Sequence, residues 1–205
     1  MTQYTPNLPL IAAVIAAAGR STRMGTPKQL LPWGTSTVIA TVVDKLATAG
    51  AQPVICVVGH QKAEITAALA TTPAQTIYNP DYANSEMLTS YQVGVRALEQ
   101  TACSGTLIAL GDQPHIPVAI IQQIIEQAQR TPDSLVIPSF NLRRGHPFYL
   151  PQVLWAELLE LEASGSLRTL VTRHSQQIIY INVESNSILR DMDTMDEYTK
   201  LIDSR

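Results

Sequence analysis

The chain is short of cysteine, and neither Cys56 nor Cys103 stands at metal-ligand or redox spacing. Cys56, inside the run Pro53-Val54-Ile55-Cys56-Val57-Val58, reads as a small buried hydrophobe. The four histidines, at 60, 115, 146 and 174, are too scattered to suggest zinc. Only 15% of residues are charged, 14 basic against 17 acidic, and the net of −3 gives no general pull toward nucleic acid or an anionic membrane. No apolar stretch reaches the about 18 residues of a membrane span. No basic region precedes the first apolar run and no secretory cleavage pattern follows it, so a cytoplasmic protein is expected. Repeats, low-complexity segments and charged linkers are missing too. One absence is local: no acidic residue occurs before Asp44, while Arg20, Arg23 and Lys28 all fall in that opening segment. A small anion is its natural partner.

With 205 residues, 45% of them hydrophobic, the chain has enough apolar surface for one continuous core. Short apolar runs alternate with longer helical patterns, which predicts βαβ units and a single α/β domain over 1–205: a Rossmann-like three-layer sandwich, its mostly parallel sheet flanked by helices on both faces. Strands are expected near 11–17, 53–58, 75–78, 106–110, 134–137 and 177–183. Helices are expected over 37–49, 63–70, 87–100, 116–129, 152–161, 166–173 and 194–201. Pro117 falls in the first turn of its helix, where its missing donor costs nothing. Trp33 and Trp155 read as packing residues.

Three constellations carry chemistry. The run from Leu10 to Ala18 reads as a buried strand that ends at Gly19 and delivers Arg20, Ser21, Arg23, Gly25 and Lys28 into one loop, at the strand end where open α/β sheets place ligands. Gly19 and Gly25 stand five residues apart and Lys28 follows three after the second glycine, so neither the P-loop nor the dinucleotide pattern applies. The parts still suit a triphosphate: glycines admit backbone N–H groups, and the cations offset its charge. In the second constellation a strand over 106–110 ends at Gly111-Asp112-Gln113-Pro114 and aims Asp112 at the same sheet edge. A carboxylate there can hold Mg²⁺ against phosphates, since Mg²⁺ keeps waters and needs one or two protein oxygens; capping of the next turn is the alternative. The third is Arg190-Asp191-Met192-Asp193-Thr194 before the last helix. Its two carboxylates are expected to diverge, so that one faces the metal while the other, with Thr194, caps the helix.

The ordered series A-A-G-x-S-x-R-M-G-x-P-K, L-L-P-W-G, N-P-x-Y, G-D-x-P, R-G-H-P and D-x-D-T resembles the MobA-like nucleotidyltransferases, and within them the molybdenum cofactor cytidylyltransferases, over nearly the whole chain. The resemblance implies a nucleotide-diphospho-sugar transferase-like fold. Its N-terminal half would bind nucleotide and its C-terminal half the acceptor. It implies transfer of a nucleoside monophosphate from a triphosphate to a terminal phosphate, with pyrophosphate released. By the same resemblance Ala17, Ala18 and Gly19 lie against base and ribose, and Arg23 and Lys28 hold the triphosphate. Asp112 and Asp191 bind Mg²⁺, with Asp193 the alternative to Asp191. Asn79 and Ser90 help recognise base and sugar, and Arg144, Gly145 and His146 line the acceptor pocket. Ala18 stands where guanylyltransferase relatives have glycine; its methyl narrows the base site and favours CTP. The chain departs from the pattern at Glu86 and Leu88, which bears on the sugar contacts, at Met195, which bears only on a helix start, and over 162–168, where acceptor preference could have shifted.

The missing general base agrees with this chemistry, because a phosphomonoester with its second pKa near 6 is already a nucleophile at neutral pH. His146, between Gly145 and Pro147 and beside two arginines, is placed to meet an anionic pterin; His60, at a strand end, reads as often structural as nucleotide-contacting. The expected partners are CTP and a molybdopterin-type phosphate acceptor, with a molybdoenzyme or its chaperone as recipient, and neither nucleic acid nor membrane. Two other readings stand beside this one: transfer to a sugar or polyol phosphate, and a non-catalytic pterin carrier.

Overall fold

Leu10–Ala17 (β1) is apolar on both sides because both sides are covered. In the computed structural model, which describes residues 8–19, 24–83, 87–162 and 165–204, β1 pairs in parallel with β4 and with β6. Its alternate side chains enter two separate layers of core. Ile11, Ala13, Ile15 and Ala17 face one, Ala12 and Val14 the other. Such a strand reads as a continuous hydrophobic run, which is why it was legible.

The remaining strands are β2 (Pro32–Trp33), β3 (Ser36–Thr37), β4 (Val54–Val58), β5 (Ala74–Tyr78), β6 (Cys103–Leu110), β7 (Leu135–Phe140), β8 (Arg143–Arg144), β9 (Phe148–Pro151) and β10 (Ile178–Asn182). The helices are α1 (Val38–Thr48), α2 (Lys62–Ala68), α3 (Met87–Leu98), α4 (Val118–Arg130), α5 (Trp155–Glu160), α6 (Leu167–Arg173) and α7 (Met195–Asp203). The main sheet runs β10-β7-β9-β6-β1-β4-β5, with β8 paired to β7 and the β2–β3 hairpin standing apart. One core layer is built from α1, α2 and α4, the other from α3, α5 and α6, which is the expected three-layer sandwich. Helix α3 approaches β1 so closely that a Cβ on Gly94 would run into Val14. No described helix is long and apolar enough to cross a membrane.

The expected elements all appear, with bounds shifted by up to about three residues. Pro117 is the N-cap residue of α4 rather than its first helical residue, and the segment expected as one helix over 152–161 is a 3-10 turn followed by α5. The sequence reading missed β9, which runs antiparallel to both β6 and β7. Four residues buried on every side, closed by Pro151, carry no period-2 signal. Because β9 is reversed, its first residue, Phe148, pairs with Ile108 near the end of β6. That brings the preceding loop, with His146, to the edge that carries Asp112.

Candidate active site

At that edge Ala18 and Gly19 leave β1, and Gly111 follows β6 with its N–H donating to the Ala16 carbonyl at 3.2 Å. The hydrogen bond continues the β1–β6 ladder one step beyond the strands and so fixes Asp112 beside the first loop. Lys28, on a 3-10 turn over Lys28–Leu30, closes the gap: its Nζ pairs with Asp112 Oδ2, and with Asp193 Oδ1 at 2.9 Å. Side-chain exposures of 17% for Lys28 and Asp112 and 28% for Asp193 put this cluster in a half-sheltered place, where charges act more strongly than in open water. Burial would lower the Lys28 pKa, but Asp112 and Asp193 outweigh it and hold the ammonium above its ordinary value.

Asp191 and Asp193 do not diverge. Residues two apart in extended chain share a face, and here Met192 between them is fully buried against Trp33, Val38 and Leu201. Both carboxylates are therefore turned outward together. Desolvation, then the charges of Asp193 and Asp112, raise the pKa of Asp191, while Lys28 lowers it. The helix is capped by Thr194 and Glu197, whose side chains form a reciprocal capping box, so neither aspartate side chain caps it. Three acids and one lysine, up to 165 positions apart in sequence, thus share one patch.

Beside this patch lies a pocket of about 250 Å³ walled by Ala18, Gly19, Gln29, Tyr82, Ser90 and Asp112. Ala17 is not in its wall; the side chain points into the core. Asn79, fully buried, is not in the wall either: it donates to Ser90 Oγ at 3.2 Å and accepts from the Asp81 N–H at 3.0 Å, so it fixes the turn behind the pocket. His60 donates its backbone N–H to the Ala18 carbonyl and stands 6.2 Å from the Tyr82 ring, a structural position outside the wall. Gly25 adopts a left-handed φ of 64°, as a glycine turn does readily. Arg20, Ser21, Arg23 and Glu86 lie outside the described residues. Gln29 and Tyr82 were missed; Tyr82 closes the N-P-x-Y motif and Gln29 stands between two quoted motifs, but nothing in their spacing marked them as wall residues.

A second, larger cleft of about 860 Å³ adjoins the first, and Met87 lines both. Its walls include Leu88, Ile137, Phe148 and Val171, with Arg143, Arg144 and Arg168 at the rim, and no carboxylate among its described lining residues. Arg144, Gly145 and His146 all reach it. Arg144 is fixed from behind, donating through Nε and Nη2 to Tyr180 Oη at 2.9 and 2.5 Å. Gly145 packs on Ile188 with no room for a Cβ. The His146 ring, tilted against Phe148 at 5.5 Å, is surrounded by enough protein that burial pulls its pKa down to about 4, against a weaker upward pull from Asp112. It is therefore neutral at pH 7. Leu88, a departure from the motif, is buried beneath this cleft rather than placed at the sugar site.

A family model for the MobA-like NTP transferase domain matches residues 13–178. The chain belongs to that family. As a MobA-like NTP transferase it is a nucleotidyltransferase enzyme, and the convergence of Lys28, Asp112 and the two later aspartates is set within that frame. Molybdenum cofactor cytidylyltransferase of Escherichia coli (strain K12) is 29% identical over 194 residues, 92% of this chain and 93% of that protein. Nicotine blue oxidoreductase of Paenarthrobacter nicotinovorans is 24% identical over 205 residues, 96% of this chain and 98% of that protein. The crystal structure of the manganese complex of Rv0371c from Mycobacterium tuberculosis H37Rv superposes with a TM-score of 0.76 at 28% identity, covering 96% of this chain and all of that one.

Proposed function

We propose that this MobA-like NTP transferase moves CMP from CTP to the terminal phosphate of a molybdopterin-type acceptor and releases pyrophosphate, with Mg²⁺ as its metal. The observation that carries the reading is the arrangement of the two cavities: a small pocket whose wall holds Asp112, one of a cluster of one lysine and three aspartates, adjoins a large cleft through Met87. An acceptor phosphate oxygen would attack the α-phosphorus from the large cleft as the bond to the β-phosphate breaks, and pyrophosphate would leave with the bonding electrons. The acceptor is anionic at neutral pH, so no base is required. In-line placement and charge stabilisation carry the reaction.

The donor set fits Mg²⁺. Asp112 and Asp191 would supply hard carboxylate oxygens; the proton affinity of Asp191 is raised by burial first and then by the charges of Asp193 and Asp112, and a divalent cation would offset the latter. Among the described residues no three His, Cys, Asp or Glu side chains form a ready cage, so the ion would complete its shell with phosphate oxygens and water. Bound there, Mg²⁺ would supply charge neutralisation at the α- and β-phosphates. Lys28 would turn from Asp112 and Asp193 to the phosphates as they arrive. The manganese complex of the mycobacterial relative supports a divalent ion in this frame.

The acceptor is argued from the large cleft. A floor of Leu88, Ile137, Phe148 and Val171 suits the face of a flat ring system better than a sugar, and Arg143, Arg144 and Arg168 suit its anionic group. The 29% identical cytidylyltransferase supports the same acceptor. Ala18, in the wall of the small pocket, narrows the base site and supports CTP. The N-terminal half would thus bind nucleotide and the C-terminal half the acceptor, in a cytoplasmic protein that passes its product to a molybdoenzyme or its chaperone.

Pyrophosphate release tests this. CTP, GTP and ATP are each offered with molybdopterin or with a sugar phosphate, with Mg²⁺ or with a chelator. Release is expected with CTP, molybdopterin and Mg²⁺ together. Release with sugar phosphate alone would overturn the acceptor, and binding of pterin without release in any combination would make the protein a carrier. Redox conversion of nicotine blue without pyrophosphate release would instead align it with its oxidoreductase relative.

A further inference from the structure

On the far side of the Asp112 loop lies a third cleft, of about 420 Å³, that shares no lining residue with the two cavities of the transfer site. Its walls come from the β2–β3 hairpin, α1, the loop at 115–117, the segment 185–190 and the end of α7. Hydroxyl side chains dominate: Thr35, Ser36, Thr41, Ser185, Ser187 and Ser204. Two cations, Lys45 and Arg190, also line it, and no carboxylate does among the described residues. Lys45 is held in the wall by the carbonyls of Pro114 and Ile116 at 2.6 and 3.0 Å.

Two buried polar atoms of lining residues, His115 Nδ1 and Ser187 Oγ, have no hydrogen-bond partner among the described residues. Ser187 is more than nine-tenths buried. Buried polar atoms left without a partner cost stability, and native proteins seldom keep them without a reason. Their chemistry is complementary. His115 Nε2 lies 3.0 Å from the Ser187 carbonyl, which only accepts, so Nε2 carries the proton. Burial, despite that hydrogen bond, lowers the ring's pKa to about 4, so at neutral pH Nδ1 is a bare acceptor that needs a donor. Ser187 Oγ and Arg190 offer donors. A ligand that satisfies the set must bring both an oxyanion and a hydroxyl.

We infer that this cleft binds a hydroxyl-bearing phosphate, either monohydrogen phosphate itself or the phosphate ester of a small polyol. Sulfate has the same charge and size but no proton to give Nδ1. The cleft also touches both walls of the transfer site from behind. His115 follows Asp112 by three residues, Arg190 immediately precedes Asp191, and Gln113 Nε2 donates to the Arg190 carbonyl at 3.4 Å. Ile188, in the same segment, backs Gly145 of the acceptor loop. The binding claim does not depend on which nucleotide or acceptor the enzyme uses.

The chain's two tryptophans make the test specific, because Trp33 lines this cleft and Trp155 is buried in the opposite core layer. Full-length ¹⁵N-labelled protein is titrated with inorganic phosphate, glucose 6-phosphate and sulfate while the two indole N–H resonances are followed, Trp155→Phe serving to assign them. A saturable shift of the Trp33 resonance is expected with phosphate or the ester, and the tighter of these two names the source. Sulfate should bind about tenfold more weakly or worse. Arg190→Gln and Ser187→Ala should each weaken phosphate binding by about tenfold, while Lys28→Gln, which alters the transfer site, should leave it unchanged. The inference is overturned if neither phosphate moves Trp33, if sulfate matches phosphate in all variants, or if Lys28→Gln abolishes the shift while both cleft variants, folded by circular dichroism, retain it.

Discussion

Asp112 lies at the meeting point of the β1–β6 ladder and the Lys28 ammonium, so its carboxylate can be removed at little cost to the fold. Asp112→Asn is expected to lower pyrophosphate release by about 100-fold or more, since the charge it stabilises develops in a half-sheltered site, while the melting temperature stays within a few degrees of wild type. Near-normal release would end its assignment to the metal. Asn79 is the opposite case. Because its amide is buried and bonded to Ser90 and to the Asp81 N–H, Asn79→Ala should cost about 1–3 kcal/mol in urea unfolding. A loss of nucleotide affinity with unchanged stability would instead put it in contact with the substrate. That Lys28 and Asp112 share one sheet edge was legible because Asp112 and the loop that carries Lys28 each follow a strand end, and the two side chains pair there. Asn79 could not be told from a contact residue, because a turn asparagine facing inward and one facing a ligand have the same neighbours in sequence.

The packing of α3 on β1 supplies the sharpest test among the elements. Gly94→Ala forces a methyl group onto Val14 and should destabilise the protein by about 1–3 kcal/mol. Val14→Ala makes room for it, so the double variant should recover part of the loss; additive losses would show that the two positions do not meet. The α/β alternation, and with it the parallel run β5-β4-β1-β6, was legible because buried parallel strands are unbroken apolar runs between amphipathic helices. The antiparallel β9 and the two-residue β8 were not, since so few residues hold too little pattern to set a period. The paired orientation of Asp191 and Asp193 was misjudged for a different reason. Residues two apart in extended chain share a face, a period that the expected divergence inverted, and burial of Met192 between them against Trp33 and Leu201 fixes which face it is.

Across the whole molecule, two half-sheltered histidines link folding to pH. His115 and His146 have folded pKa values of about 4, below the ordinary 6.5, so the unfolded chain binds more protons than the folded one between those values. The stability they permit is full above about pH 6.5 and is lost as pH falls toward 4, by at most roughly 3 kcal/mol for each ring. Melting temperatures should therefore decline between pH 7 and pH 4.5, and His146→Gln should flatten that decline. An unchanged slope would place the ring in water. The reversed β9 bears on a different property. The hairpin before it carries Arg143, Arg144, Gly145 and His146 into the large cleft, while the wall of the small pocket is assembled from other segments. Under the proposed assignment, part of acceptor choice would rest on a cassette hung from one strand, and exchanging residues 140–148 between relatives is expected to shift acceptor preference while nucleotide preference stays, as pyrophosphate release with paired substrates would read.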